Sequence, residues 1–319
     1  MSEHRLKGVI KATPECFVVQ ELFGPQTTPV PLHTETSIMG FNPASPITLF
    51  HLVKKGVSSD DAMREVAKQL NVWLRDISNH GMKDKYAYTA QRIGVRGAFC
   101  PQFAHPDIVL RQVGSLRSKL ALSGHKGNRF TILVLSDATT IDIKKLNEFR
   151  NVFGQQRFGT PRGYEVGKML LEGRFVEAFD IESNNGSRSR IQRIRSRSNS
   201  WEELFFGSEF VRESEFRIMQ WQSYLWNTLV NQLENAPDRL PVWSPQERSV
   251  YEHLWNPKVL DPVALRLLYG YTRRTVIRPK NISAERMHAG WEIRFDIPPG
   301  AYATVALSQI FELSEHRFS

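Results

Sequence analysis

Cysteine is almost missing from this chain: among 319 residues only Cys16 and Cys100 carry a thiol. They lie far apart and make no Cys-x-x-Cys pair. No disulfide framework can be drawn from them, which fits a reducing compartment. The nine histidines show no His-x-x-x-His spacing and no mixing with cysteine, so no structural zinc motif is recognisable and no metal site is expected. Long apolar runs are missing too. Residues 1–20 lack the apolar core of a signal peptide, and no stretch approaches eighteen apolar residues. The expectation is a soluble, cytoplasmic protein without membrane attachment. Acid is the scarcer charge: Asp and Glu number 33 against 42 Lys and Arg, a formal net charge of +9. A basic globular chain most often meets a polyanion, although a generically basic soluble protein has the same balance. What is present is an apolar content of 41%, enough for a real core, in a length that suits two domains or one interrupted domain.

One stretch stands apart, Gly81-Met82-Lys83-Asp84-Lys85-Tyr86-Ala87-Tyr88-Thr89-Ala90-Gln91. It follows an apolar-polar run from Val72 to Ile77 that reads as a strand. Both lysines favour the ionised form of Asp84, because a nearby opposite charge lowers a carboxyl pKa. Such a carboxylate can serve as a nucleophile or an electrostatic stabiliser. The same residues also describe a solvated surface turn, which charged loop clusters usually are.

Along the rest of the chain, residues 7–22 read as two short strands about a Pro-Glu turn. Residues 23–46 read as a loop, and Thr48 to Val53 as a strand. Ser58 and Asp61 suit a capping box. Ala62, Met63, Val66, Ala67 and Leu70 then mark the inner face of a helix over 59–70. Tyr88 to Val95 reads as a returning strand, which puts Asp84 in a loop between two strands. Residues 107–113, 129–136 and Trp291 to Ile297 read as further strands, and Ile141 to Arg150 as a helix. Ser183 to Ser200 is a low-complexity segment. Its Arg188, Arg190, Arg193, Arg195 and Arg197 have no acid among them, and they can neutralise phosphates or simply solvate a flexible loop. Ile218, Trp221, Leu225, Trp226, Leu229 and Leu233 share one face of a helix over 214–234, with its aromatics read as packing. Residues 236–270 give mixed helix and loop.

Gly81, Lys83, Asp84, Lys85, Ala87, Thr89 and Gln91 match the Gly-x-Lys-Asp-Lys-x-Ala-x-Thr-x-Gln signature of the TruD family of pseudouridine synthases, a long and specific pattern. Lys11, Pro14, Glu15 and Phe17 resemble the family's opening Lys-x-x-Pro-Glu-Asp-Phe, with Cys16 in place of its Asp. Gly127-Asn128-Arg129-Phe130 matches Gly-Asn-x-Phe. Residues 151–159 resemble Asn-Tyr-Phe-Gly-x-Gln-Arg-Phe-Gly, with Val152 for Tyr. Residues 222–227 resemble Gln-Ser-Tyr-Leu-Phe-Asn, and Arg273-Arg274 resembles a family arginine pair. Residues 298–304 resemble Leu-Pro-x-Gly-Ser-Tyr/Phe-Ala-Thr. The Leu-Arg-Glu-Leu that usually follows is Leu307-Ser308-Gln309-Ile310 here.

The resemblance implies an α+β fold. Its catalytic domain would be a mixed, mainly antiparallel sheet with flanking helices over 1–156 and 274–319, interrupted by an inserted TRUD domain over 157–273. It implies isomerisation of uridine to pseudouridine in tRNA, at position 13, with Asp84 as the catalytic residue. Phe17 and Tyr302 would hold the flipped base, and Asn128 would read the uracil edge, since an amide offers both a donor and an acceptor. Lys11 matches a basic residue near the catalytic acid. Lys83 and Phe130 belong to the same substrate-binding set. Taken alone, Phe17 equally suits a core aromatic, Asn128 a Gly-Asn turn and Lys11 a surface lysine. Arg157, Arg273 and Arg274 join the five segment arginines as RNA-binding candidates, with a braced carboxylate or a solvated turn as their alternatives. The reaction transfers no group to another molecule and changes no oxidation state, so neither cofactor nor metal is implied. A monomer acting on tRNA without an obligatory protein partner is expected.

Two other readings compete. An RNA-binding module or RNA chaperone that has lost catalysis would explain Cys16 and Ser308-Gln309 but not the intact acid signature. A metal-dependent nuclease would need clustered carboxylates, and Asp84 has no acid neighbour in the sequence.

Overall fold

The structure is a computed structural model and describes residues 5–33, 42, 44–97, 102–122, 124–159, 161–184 and 188–315. The chain divides into two compact units, Met1–Phe149 with Arg278–Ser319, and Arg150–Ile277. The second is wider at both ends than the 157–273 read from the motifs.

The first unit is built on a mixed sheet. Its strands include β1 (Leu6–Ile10), β2 (Phe17–Phe23), β3 (Thr28–Pro29) and β4 (Ile47–Lys55), followed after the helix α1 (Ser59–Gln69) by β5 (Ile77–Asn79), β6 (Tyr88–Arg96), β7 (Ile108–Leu116) and β8 (Gly127–Leu135). Late in the chain come Lys280–Met287, Gly290–Ile297 and Phe311–Glu315. The central order is Lys280–Met287, Gly290–Ile297, β8, β2, β6, β4, β7. β2 pairs with β6 in parallel, as β1 does with Phe311–Glu315, and the other pairs are antiparallel. This is the mixed, mainly antiparallel α+β arrangement expected.

Alternation decides which side chains face the core. In β4 and β6, Phe50, Leu52, Ile93 and Val95 pack with Ile108 and Leu110 of β7 against Ala62, Met63, Val66 and Leu70 of α1. Helix α1 starts where expected. The Ser58 hydroxyl accepts from the Asp61 N–H at 3.0 Å and donates to the Asp61 carboxylate at 2.6 Å, satisfying one of the first-turn donors.

Three readings of this unit need correction. Val72 to Ile77 is not a strand: a 3-10 turn, Leu74–Asp76, precedes a strand of only three residues, Ile77–Asn79. Trp73 and Leu74 are exposed, so only the two ends of that run, Val72 and Ile77, pack against the core. Ile141 to Arg150 is not an α-helix but a 3-10 turn, Ile143–Leu146, followed by a short strand, Phe149–Arg150. Only Leu146 and Phe149 are buried there, too few anchors for an amphipathic helix. Within the expected loop 23–46, Thr28–Pro29 pairs with the end of β2 and Val30 is fully buried; residues 34–41 and 43 of that stretch lie outside the described residues.

The second unit is mainly helical: α2 (Gly163–Leu171), α3 (Phe175–Asn184), α4 (Arg188–Arg195), α5 (Trp201–Phe206) and the long α6 (Val211–Gln232). Val166, Leu170, Ile218, Trp221 and Leu225 lie in its core. α2 approaches α6 closely enough that a Cβ at Gly167 would fall 1.9 Å from the Arg217 carbonyl oxygen. The buried Arg217 guanidinium grips the Glu182 carboxylate with two hydrogen bonds, 2.7 and 3.0 Å. The arginine-rich segment is largely helix, not flexible loop, because Ile191 and Ile194, three apart, are buried on one face of α4. Residues 185–187 lie outside the described residues.

Candidate active site

The loop from His80 to Ala87 joins β5 to β6, and its course is set by specific bonds. Gly81 has φ of +140°, a backbone region where a side chain is disfavoured, and its N–H donates to Asn79 Oδ1 at 2.8 Å. The Ser59 hydroxyl accepts from the Lys83 N–H at 2.8 Å and donates to the Lys83 carbonyl at 3.1 Å. Lys54, near the end of β4, donates to the Asp84 carbonyl at 2.7 Å. The backbone on both sides of the acid is therefore fixed.

The Asp84 side chain remains 30% exposed, so a ligand can reach it. Lys11 Nζ stands 3.5 Å from its Oδ1, 3.0 Å from Glu315 Oε1 and 4.9 Å from the centre of the Phe17 ring. That ammonium is 6% exposed and sits on a residue with φ of +58°, a conformation uncommon outside glycine. Lys11 is thus no surface lysine. It ties the turn after β1 and the last described strand to the acid.

A second buried charge group lies beside the first. Glu21 of β2 is fully buried, 3.3 Å from Arg92 and 3.9 Å from Lys83. Burial lowers the pKa of Lys83, while Glu21 and Asp84 oppose that shift. Burial also brings Lys54 down to about 8. His80 holds Arg92 from the far side: its Nε2 lies 3.3 Å from an Arg92 nitrogen and its Nδ1 2.7 Å from the Ala121 carbonyl. The bonding assigns the proton to Nδ1, leaving Nε2 to accept. His125 stacks obliquely at 5.7 Å from His80 and is buried. Burial, with Lys83 next, pushes it down to about 3.

Register brings Asn128 to this group. It pairs with Glu21 on one side and Ile297 on the other. Its Oδ1 is buried without a partner among the described residues, as are Thr89 Oγ1 and both polar atoms of the Gln91 amide. Unpaired buried polar atoms are costly and call for a ligand or water. Thr89 and Gln91 are the last two residues of the acid signature, so part of that motif supplies polar groups to the sheet rather than to the loop.

The aromatic residues differ from expectation. Phe17 and Phe130 are 2% and 6% exposed, packed edge to face at 6.0 Å, with Phe295 stacked on Phe130 at 5.8 Å. Neither offers a free face to a base; they form the packed floor under Lys11. Tyr302 is half-buried and precedes the short helix Ala303–Leu307, just after the turn that leaves Ile297. The departures from the family pattern are locally satisfied. The Thr13 hydroxyl donates to Cys16 Sγ at 3.4 Å, and the Ser308 hydroxyl and Gln309 amide both donate to the Val305 carbonyl.

Among the arginines, Arg273 is buried and spent on structure. It donates to the Asn151 carbonyl and side chain and lies over Phe153 and Trp226, so its expected phosphate role is withdrawn. Arg157 is half-buried over Phe153. Arg274 is exposed and pairs with Asp238. Arg190 pairs with Glu213, and Arg195 lies 4.2 Å from the centre of the Trp201 ring. Arg188, Arg193 and Arg197 are exposed. Among the described residues no group of three or more His, Cys, Asp or Glu could hold a metal ion, and no helix is long and apolar enough to cross a membrane.

Residues 1–212 match the family model of tRNA pseudouridine synthase D (TruD). A protein of Pyrobaculum arsenaticum named "Probable tRNA pseudouridine synthase D" is 30% identical over 70% of this chain, but the match spans only 57% of that relative. One of the same name from Pyrobaculum aerophilum is 27% identical over 97% of this chain and 93% of its own length. A crystal structure of the "Putative tRNA pseudouridine synthase D (TruD)" from Methanosarcina mazei superposes with a TM-score of 0.66 at 17% identity, covering 98% of this chain and 95% of the other, a likeness that establishes the fold. The signature loop, the sheet that carries it and these matches agree: the chain belongs to the tRNA pseudouridine synthase D (TruD) family.

Proposed function

We propose that this protein isomerises a uridine of tRNA, at position 13, to pseudouridine, with Asp84 as the residue that initiates the reaction. The observation that carries the reading is a reachable carboxylate with Lys11 at 3.5 Å, in a loop whose backbone is bonded on both sides. In the net reaction the bond from ribose C1′ to N1 of uracil breaks, a bond from C1′ to C5 forms, and the C5 proton is replaced by one on N1. The atoms balance without an oxidant or an acceptor.

A base inside a folded RNA must be extruded first, at a cost of a few kcal/mol. Phosphate contacts must offset that cost, and the exposed Arg188, Arg193 and Arg197 are suited to them. Arg274, Arg190, Arg195 and Arg157 form a second rank, already engaged with protein partners. The unpaired Asn128 Oδ1 suits the N3–H of uracil. Tyr302, half-buried, is the remaining aromatic for the flipped base. The Arg150–Ile277 unit contains the inserted TRUD domain, and the protein works in the cytoplasm as a monomer.

Purified protein incubated with uridine-labelled tRNA, without added metal, should yield pseudouridine after digestion. Binding of tRNA with no conversion would overturn the assignment in favour of a non-catalytic RNA-binding protein.

A further inference from the structure

The β4–α1 corner carries two buried polar side chains that no motif reading singles out, Lys54 and Ser59, 1% and 2% exposed. Lys54 continues the row Phe50, Leu52 that packs under α1. An aliphatic side chain would fill that place without the cost of burying an ammonium, which is several kcal/mol before compensation. The ammonium does what an aliphatic chain cannot. It donates to the Val57 carbonyl of its own corner at 2.8 Å and to the Asp84 carbonyl at 2.7 Å. Ser59 holds both backbone groups of Lys83, at 2.8 and 3.1 Å. Between them Gly56, at φ of +68°, directs its N–H to the Ala87 carbonyl at 3.3 Å. Backbone groups of residues 83, 84 and 87 are thus pinned to residues 54–59.

We propose that this corner is a clamp: Lys54 and Ser59 are positioning residues that hold Asp84 in its reactive geometry, and the charge on Lys54 adds to the positive field at the Asp84 carboxylate. The proposal rests on Asp84 being the reacting acid. Lys54 faces Asp84, which favours its charge, and Lys83, which opposes it. Lys11 and Glu315 flank Asp84 on another side, and Glu21 flanks Lys83. With burial bringing Lys54 to about 8, it loses its charge as pH rises through that value. A neutral amine keeps both donors, so the loop stays pinned while the field weakens.

The test compares wild type with Lys54→Met in single-turnover conversion of tRNA across pH. At pH 7 the variant should be slower on the order of 100-fold, as expected for a displaced reacting group, with tRNA affinity unchanged. The wild-type to variant rate ratio should then shrink several-fold between pH 7 and pH 9.5. Ionisation of the RNA is common to both proteins and cancels in that ratio. Ser59→Ala, at a helix position that accepts alanine, should slow conversion about tenfold without weakening tRNA binding, and it decides the matter should Lys54→Met fail to fold. A ratio that does not change with pH, or a Ser59→Ala protein with the wild-type rate, overturns the clamp alone. A wild type that makes no pseudouridine overturns the proposed function, and the clamp with it.

Discussion

Acidification from pH 7 to pH 5 should destabilise the first unit through two buried histidines. His51 and His125 are buried, and their folded-state values are pushed down to about 4 and about 3, chiefly by burial. Arg92 adds to the effect on His51, and Lys83 is the largest charge acting on His125. An unfolded histidine titrates near 6.5, so between that value and about 4 the unfolded chain binds both protons and the folded chain binds neither. Stability is then lost as pH falls, by up to about 1.4 kcal/mol per pH unit for each histidine. From pH 7 to pH 5 each should remove about 2 kcal/mol, so together about 4, a large share of the roughly 5–15 kcal/mol that holds a domain folded. The carboxylates whose pKa is lowered, Glu15, Glu165 and Glu177, act below 4.5 and leave this window clear. The assay is the urea midpoint at several pH values for wild type, His51→Gln and His125→Gln. Each variant should lose about half of the pH dependence. A midpoint flat from pH 7 to pH 5, or variants with the wild-type slope, would show that the two histidines do not set the acid response.

Two further outcomes follow from the charge groups. Glu21→Ala leaves the buried Lys83 ammonium and the half-buried Arg92 without their carboxylate and should cost about 3 kcal/mol in chemical denaturation, whereas Glu21→Gln, which keeps an acceptor for Arg92, should cost clearly less. Replacing Arg188, Arg193 and Arg197 with Ser should reduce the slope of log affinity for tRNA against log salt by about two to three, with little change in thermal stability; an unchanged slope would remove these three arginines from the RNA contact.

The sheet was legible where strands alternate and face a core on one side at least. Thr48 to Val53, Tyr88 to Val95 and Trp291 to Ile297 lie within observed strands, residues 129–136 overrun theirs by one, and α1 is readable from its periodicity and its Ser58 cap. Val72 to Ile77 shows the limit of the same signal: alternation says nothing about whether a partner surface exists, and Trp73 finds none. In Ser183 to Ser200 composition masked period, since two isoleucines at helical spacing outweigh the arginines between them. The acid loop was legible through its motif. Its supports were not. Lys54, Ser59 and Glu21 are distant from Asp84 in sequence and meet it through pairings such as Lys54 with Thr89 and Glu21 with Asn128. Whether an ion such as Arg273 or Glu21 is buried depends on that assembly, and no local pattern announces it.

The most direct measurement is conversion of uridine in tRNA by Asp84→Asn, an isosteric change that removes the charge while leaving Lys54 and Ser59 their backbone partners. Pseudouridine formation should disappear while tRNA binding and the melting temperature stay close to wild type. An Asp84→Asn protein that still converts uridine at the wild-type rate would contradict Asp84 as the reacting acid.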